Sequence, residues 1–203
     1  MKKLVSLSLF IIMLFTSNAF AMTFNQPQKI GSYRCTHAGG PSKATASGYT
    51  RATKDSFIFG TGDDALIIKY RNTSRIGRGA SETRGVYVGK NLVLNSTIGF
   101  PYIYKITSLE GDLFYLGIGN PTIEQEFCLI GKCAGSYWHA IKMSDLVKYV
   151  SNIEYLDSDV AKRFGEPYTQ GNKIIVPYTV SGTNGKIIFT WDANVQWFGI
   201  EEA

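Results

Sequence analysis

The sequence predicts a mainly β protein, an antiparallel sheet or small barrel with one or two short helices, that folds after export. Three observations carry this expectation. Short runs rich in Val, Ile, Tyr and Phe recur at close spacing, separated by Gly, Asn and Asp. Segments with a helical apolar period are scarce. The chain also opens on the basic, apolar and polar layout of a secretory leader.

Lys2 and Lys3 form the basic start, residues 4–15 the apolar run, and Thr16, Ser17 and Asn18 the polar stretch. Ala19 and Ala21 are small residues at the positions that a leader peptidase reads, so cleavage is expected after Ala21, with Met22 as the first mature residue. The apolar run has 12 residues, against about 20 needed to cross a bilayer as a helix. No later segment is apolar enough either, so the mature chain is expected to lack a transmembrane segment and to reside in the periplasm or outside the cell. No cysteine follows the cut, which excludes lipidation there.

Taking these 21 residues from 203 leaves enough chain for one domain or two small ones. The reading is a β-rich unit with long Gly/Ser/Thr-rich loops over 22–137, then short helices and a β-meander over 138–203. The mature chain carries 19 basic and 16 acidic side chains, too small an excess for a nucleic-acid partner. The charge is unevenly spread: residues 22–84 hold ten basic groups against four acidic, and the remainder nine against twelve. Arg75, Arg78 and Arg84 sit in a glycine-rich connection and are candidate binding residues for an anionic surface.

Along the chain, residues 36–53 are dominated by Gly, Ala, Ser and Thr and read as a long loop. Residues 56–59 and 65–70 flank Gly60-Thr61-Gly62-Asp63 and predict a hairpin. Residues 86–88, 92–94, 102–107 and 113–116 continue the strand pattern. Ser144 is a candidate cap for a helical turn to Tyr149, and Ser158 for a helix over 159–164 that Gly165 and Pro167 would stop. Residues 174–180 and 187–191 predict a second hairpin. A two-residue turn at Asn184-Gly185 would pair Val180 with Phe189 and Tyr178 with Trp191, and 195–200 would add a third strand.

The C-terminal part, with Val160, Phe164-Gly165-Glu166-Pro167, a strand ending near Tyr178, Ile187-Ile188-Phe189-Thr190-Trp191 and Asn194-Val195, resembles the SmpA/OmlA type. These are small envelope lipoproteins of outer-membrane assembly, related in fold to β-lactamase inhibitory proteins. The likeness covers about 45 residues and implies a scaffold that binds proteins and performs no chemistry. Those proteins carry a lipidated cysteine that this chain lacks.

Chemistry-bearing residues are few. Cys128 and Cys133 would face each other across a turn at Ile130-Gly131 and form a disulfide in an oxidising compartment. The competing reading is a cysteine-dependent hydrolase with Cys133 as nucleophile, His139 as base and Asp145 as orienting carboxylate. No window has the alternating oxygen ligands of a calcium loop, and no phosphate loop or other cofactor motif is present. Tyr102 and Tyr104 belong to a tyrosine-rich middle segment and are candidate binding residues. The function these features predict is non-enzymatic: an exported envelope protein, such as an inhibitor, immunity factor or assembly accessory, engaging a protein partner. A small-ligand carrier is the remaining alternative.

Overall fold

The computed structural model describes residues 22–35, 44–71, 82–95, 99–119, 127–133, 135–146, 148–149, 163–180 and 182–203. The leader expected over 1–21, and Arg75 and Arg78, lie outside them. Three open antiparallel sheets stack with a six-stranded sheet in the middle. Its strand order is β11 (Tyr137–Lys142), β10 (Phe127–Cys133), β9 (Leu113–Ile118), β8 (Gly99–Thr107), β1 (Gln28–Cys35) and β2 (Ala44–Ser47). The mainly β expectation holds, in sheets that do not close into a barrel.

The middle sheet is buried on both faces, and its sequence shows why. Along β9, Phe114, Leu116 and Ile118 point into one core while Tyr115 points into the other. Along β10, Phe127 and Leu129 take the first side, Cys128 and Ile130 the second. A strand covered twice must be apolar at successive positions, and Phe127-Cys128-Leu129-Ile130 is such a run.

One core is completed by a sheet of β3 (Arg51–Ala52), β4 (Ser56–Phe59), β5 (Leu66–Arg71), β6 (Glu82–Val88) and β7 (Asn91–Leu94), inserted between β2 and β8. It contributes Phe57, Phe59, Ile68, Val86 and Val88. The other core is completed by β12 (Arg163–Phe164), β13 (Tyr168–Gln170), β14 (Lys173–Val180), β15 (Thr183–Asp192) and β16 (Trp197–Glu202), through Ile174, Val176, Ile187, Phe189, Trp191 and Phe198. The expected unit boundary at Tyr137 falls at the first residue of β11, whose ladder is to β10.

Five expectations are corrected. Residues 128–133 form one straight strand, not a hairpin, so Cys128 and Cys133 lie roughly 17 Å apart along it and are not bonded. Burial on both faces favours pairing with β9 and β11 over a tight turn that would have left Leu129 and Ile130 exposed. The C-terminal hairpin forms, but in a register six residues away: Ile174 pairs with Phe189, and Tyr178 with Gly185. An even shift keeps every apolar side chain on its face. The longer pairing matches all eight residues of β14, and Gly185 leaves room for the Tyr178 ring, whose hydroxyl donates to Glu202.

The first helix, α1 (Met143–Leu146), starts one residue before Ser144; Asp145 serves its start by accepting from the Lys142 N–H at 2.8 Å. Of the helix expected over 159–164, only 163–164 are described, and they are strand, paired with Tyr178 and Thr179. Within the loop expected over 36–53, β2 and β3 form; the polar side chains of β2 fit a sheet edge, where only one side is hydrogen-bonded.

Candidate functional site

Antiparallel strands put alternate turns at the same end of a sheet. Residues 60–65, 108–112, 135–136 and 193–196 therefore converge at one end of the stack, around a cleft of 690 Å³. Asp64, Glu110, Asp112, Lys132, Trp138 and Trp191 line it, with Met22 at its edge and Phe114 at its base.

Each wall is fixed by specific bonds. The β8–β9 turn is closed by Ser108, whose hydroxyl donates to Asp112 at 3.1 Å and accepts from the Asp112 N–H at 3.0 Å; Gly111, at φ +96°, makes the reversal. The β4–β5 turn is bolted to the middle sheet by Tyr115, which donates to the Asp64 carbonyl at 2.7 Å. Asp64 then meets Lys132 at 3.5 Å, and the Lys132 ammonium lies 5.1 Å from the centre of the Trp138 ring. Glu110 makes no ion pair among the described residues.

The Tyr115 hydroxyl is pushed up to about 12, first by burial and also by the nearby Asp64 carboxylate, with a Leu66 backbone bond acting the other way. A phenol whose folded pKa exceeds its unfolded value of 10 loses its proton first in the unfolded chain. Its stabilisation is complete below pH 10 and is lost as pH rises towards 12. Relative to Tyr115→Phe, the native protein should lose at most about 2–3 kcal/mol across that window. Denaturant midpoints at pH 9, 11 and 12 measure the difference; parallel profiles would show that Tyr115 does not hold the turn.

The rim is apolar. Leu109, Tyr137 and Val195 are 66%, 73% and 61% exposed, and each is next in sequence to a residue of the cleft lining. Asp64 directly follows the Gly60–Asp63 turn that the sequence predicts, but the sequence reading does not bring the turns together. The signal was available in the alternation of hairpins, since the β8–β9 and β10–β11 turns of one meander must share an end.

The residues singled out in the sequence are dispersed. Tyr104 is 5% exposed and belongs to a core, where burial raises its pKa, so it is not offered to a partner. Tyr102 is half-buried against the same core, with the Lys29 ammonium 4.5 Å from its ring centre. Arg84 falls in β6, where only the backbone is described.

Cys133 pairs with Tyr137 across the ladder and Gly131 with His139, so the thiol and imidazole are diagonal neighbours. The His139 ring is edge-on to Trp197 at 5.9 Å, and Asp145 is engaged at the start of α1. Both line a groove of 290 Å³ that does not include Cys133, and among the described residues no hydrogen bond joins the three. Also among the described residues, no three metal-ligating side chains cluster, and no helix is long and apolar enough to cross a membrane. Comparison with protein families, curated proteins and solved structures finds no match to this chain.

Proposed function

We propose that the protein is an exported binding protein of the cell envelope that engages a protein partner through the cluster of turns at the cleft. The observation that carries this reading is the rim. Leu109 and Val195 sit on turns and Tyr137 opens β11, on elements of two sheets, yet each is next in sequence to a residue that lines one cleft and holds its apolar surface in water. The cores on either side are already filled by other residues, so packing does not explain these three. Loop tips held by a stiff β scaffold are a recurrent way to present a binding surface, and apolar side chains ringed by polar ones are its usual composition.

A photo-crosslinking residue placed at 109, 137 or 195 in cells should give a discrete protein adduct in the envelope. The same residue at Asn184, in the hairpin at the opposite end of β15, should give none. Equal labelling at all four positions, or none at the rim, would remove the assignment. Leu109→Asp and Val195→Asp should abolish the adduct formed at 137 while changing stability by only about 0.5 kcal/mol, since both side chains are exposed.

A further inference from the structure

The first described residue lines the cleft, and an isolated bridge beside it sets it against the β8–β9 turn. Asn25 N–H donates to the Thr107 carbonyl at 2.8 Å, Phe24 bridges Ser108 in antiparallel fashion, and Leu109 N–H donates to the Thr23 carbonyl at 2.8 Å. Continued by one step, this register would bring Met22 opposite Glu110 at the turn, and both residues line the cleft. The Met22 side chain is anchored against the core of the middle sheet.

We propose that removal of the leader completes the cleft wall: the α-ammonium freed at Met22 pairs with the Glu110 carboxylate. The inference rests on the export reading, in which a leader peptidase hydrolyses the amide between Ala21 and Met22. One water is consumed, a carboxylate leaves on the peptide, and an ammonium stays on Met22. In the precursor the same nitrogen is a neutral amide and cannot neutralise Glu110.

The charged groups that face this position come from three elements. Glu110 and Asp112 are on the β8–β9 turn, Asp64 on the β4–β5 turn and Lys132 on β10, while the β15–β16 turn offers only the neutral Asn194 and Gln196. Lys132 is spent on Asp64, and Asp112 is held by Ser108. Neither Glu110 nor Asp112 has an ion partner among the described residues, and Glu110 is the one that the bridge register brings opposite the cation that processing creates.

A favourable carboxylate raises the folded pKa of an amine. The stabilisation is therefore full below the unfolded value of about 8 and is lost as pH rises through the folded value. The test uses the chain released from an N-terminal fusion so that Met22 is its first residue, with the α-amino group followed by NMR after N-terminal carbon-13 dimethylation. The expected result is titration about one unit above that of the same label in the denatured chain, returning to the denatured value in Glu110→Gln.

A Gly-Ser extension ahead of Met22 should also restore ordinary titration and lower the thermal midpoint between pH 6 and 8, where the native pair is intact. An unshifted α-amino group in the native chain, or a shift that persists in Glu110→Gln, would overturn the proposal. N-terminal sequencing of the exported protein tests the export reading separately: cleavage elsewhere defeats that reading, while the released chain still reports on the pair.

Discussion

Phe114→Ala is expected to lower the unfolding free energy by about 3–5 kcal/mol, a large share of the 5–15 kcal/mol typical of a folded domain. The ring is 1% exposed and touches Phe24, Trp191 and Phe198 edge-on, with centroids at 5.4, 5.9 and 5.5 Å. It also occupies the space above Gly131, where a Cβ would collide with it. Truncation thus removes these ring contacts and opens a void at the base of the cleft. The geometry makes a second-site test available. Gly131→Ala alone should destabilise by about 1–3 kcal/mol through overpacking, yet be neutral or favourable in the Phe114→Ala background, where the methyl enters vacated space. Equilibrium denaturation of the four proteins gives the coupling; additive losses would mean that Phe114 does not fill the space above Gly131.

How much of this was legible beforehand depends on what each residue answers to. The hairpins at 56–70 and 174–191 follow from local composition, because turn residues and alternating apolar positions act over a few neighbours. The register of the second hairpin does not. Asn184-Gly185 has the local chemistry of a turn, but β15 is ten residues long and pairs on both sides, and this outweighs a preference held by two residues. Cys128 and Cys133 mislead for a related reason. Gly131 looks like a turn glycine, yet here it is a strand residue whose missing side chain admits the Phe114 ring.

The cleft is the least legible part. Asp64, Glu110 and Asn194 lie on separate turns and Lys132 on β10, and only the stacking of three sheets gathers them. The continuous apolar run at 127–130 was the available sign of that stacking, since a sheet with one wet face would have alternated.

Phe59→Ala should cost a similar 3–5 kcal/mol from the opposite side of the molecule, and the shape of its unfolding curve matters as much as the midpoint. Phe59 is fully buried and lies over Gly31, so it ties the inserted sheet to β1 of the middle one. Were that sheet an independent unit, the loss would appear as an early transition that leaves the other core intact. The middle sheet argues otherwise. Ile103, Tyr115 and Ile130 supply one core while Ile106, Phe114, Leu116 and Leu129 supply the other from the same strands, so neither face can be wetted without unravelling the ladder that carries both. A single transition is therefore expected by fluorescence and circular dichroism alike. The milder Phe59→Leu and Phe114→Leu keep the double variant folded, and their losses should add within about 0.5 kcal/mol, because the two rings share no partner across the sheet. A second transition, or non-coincident probes, would show that the stack is two cooperative units.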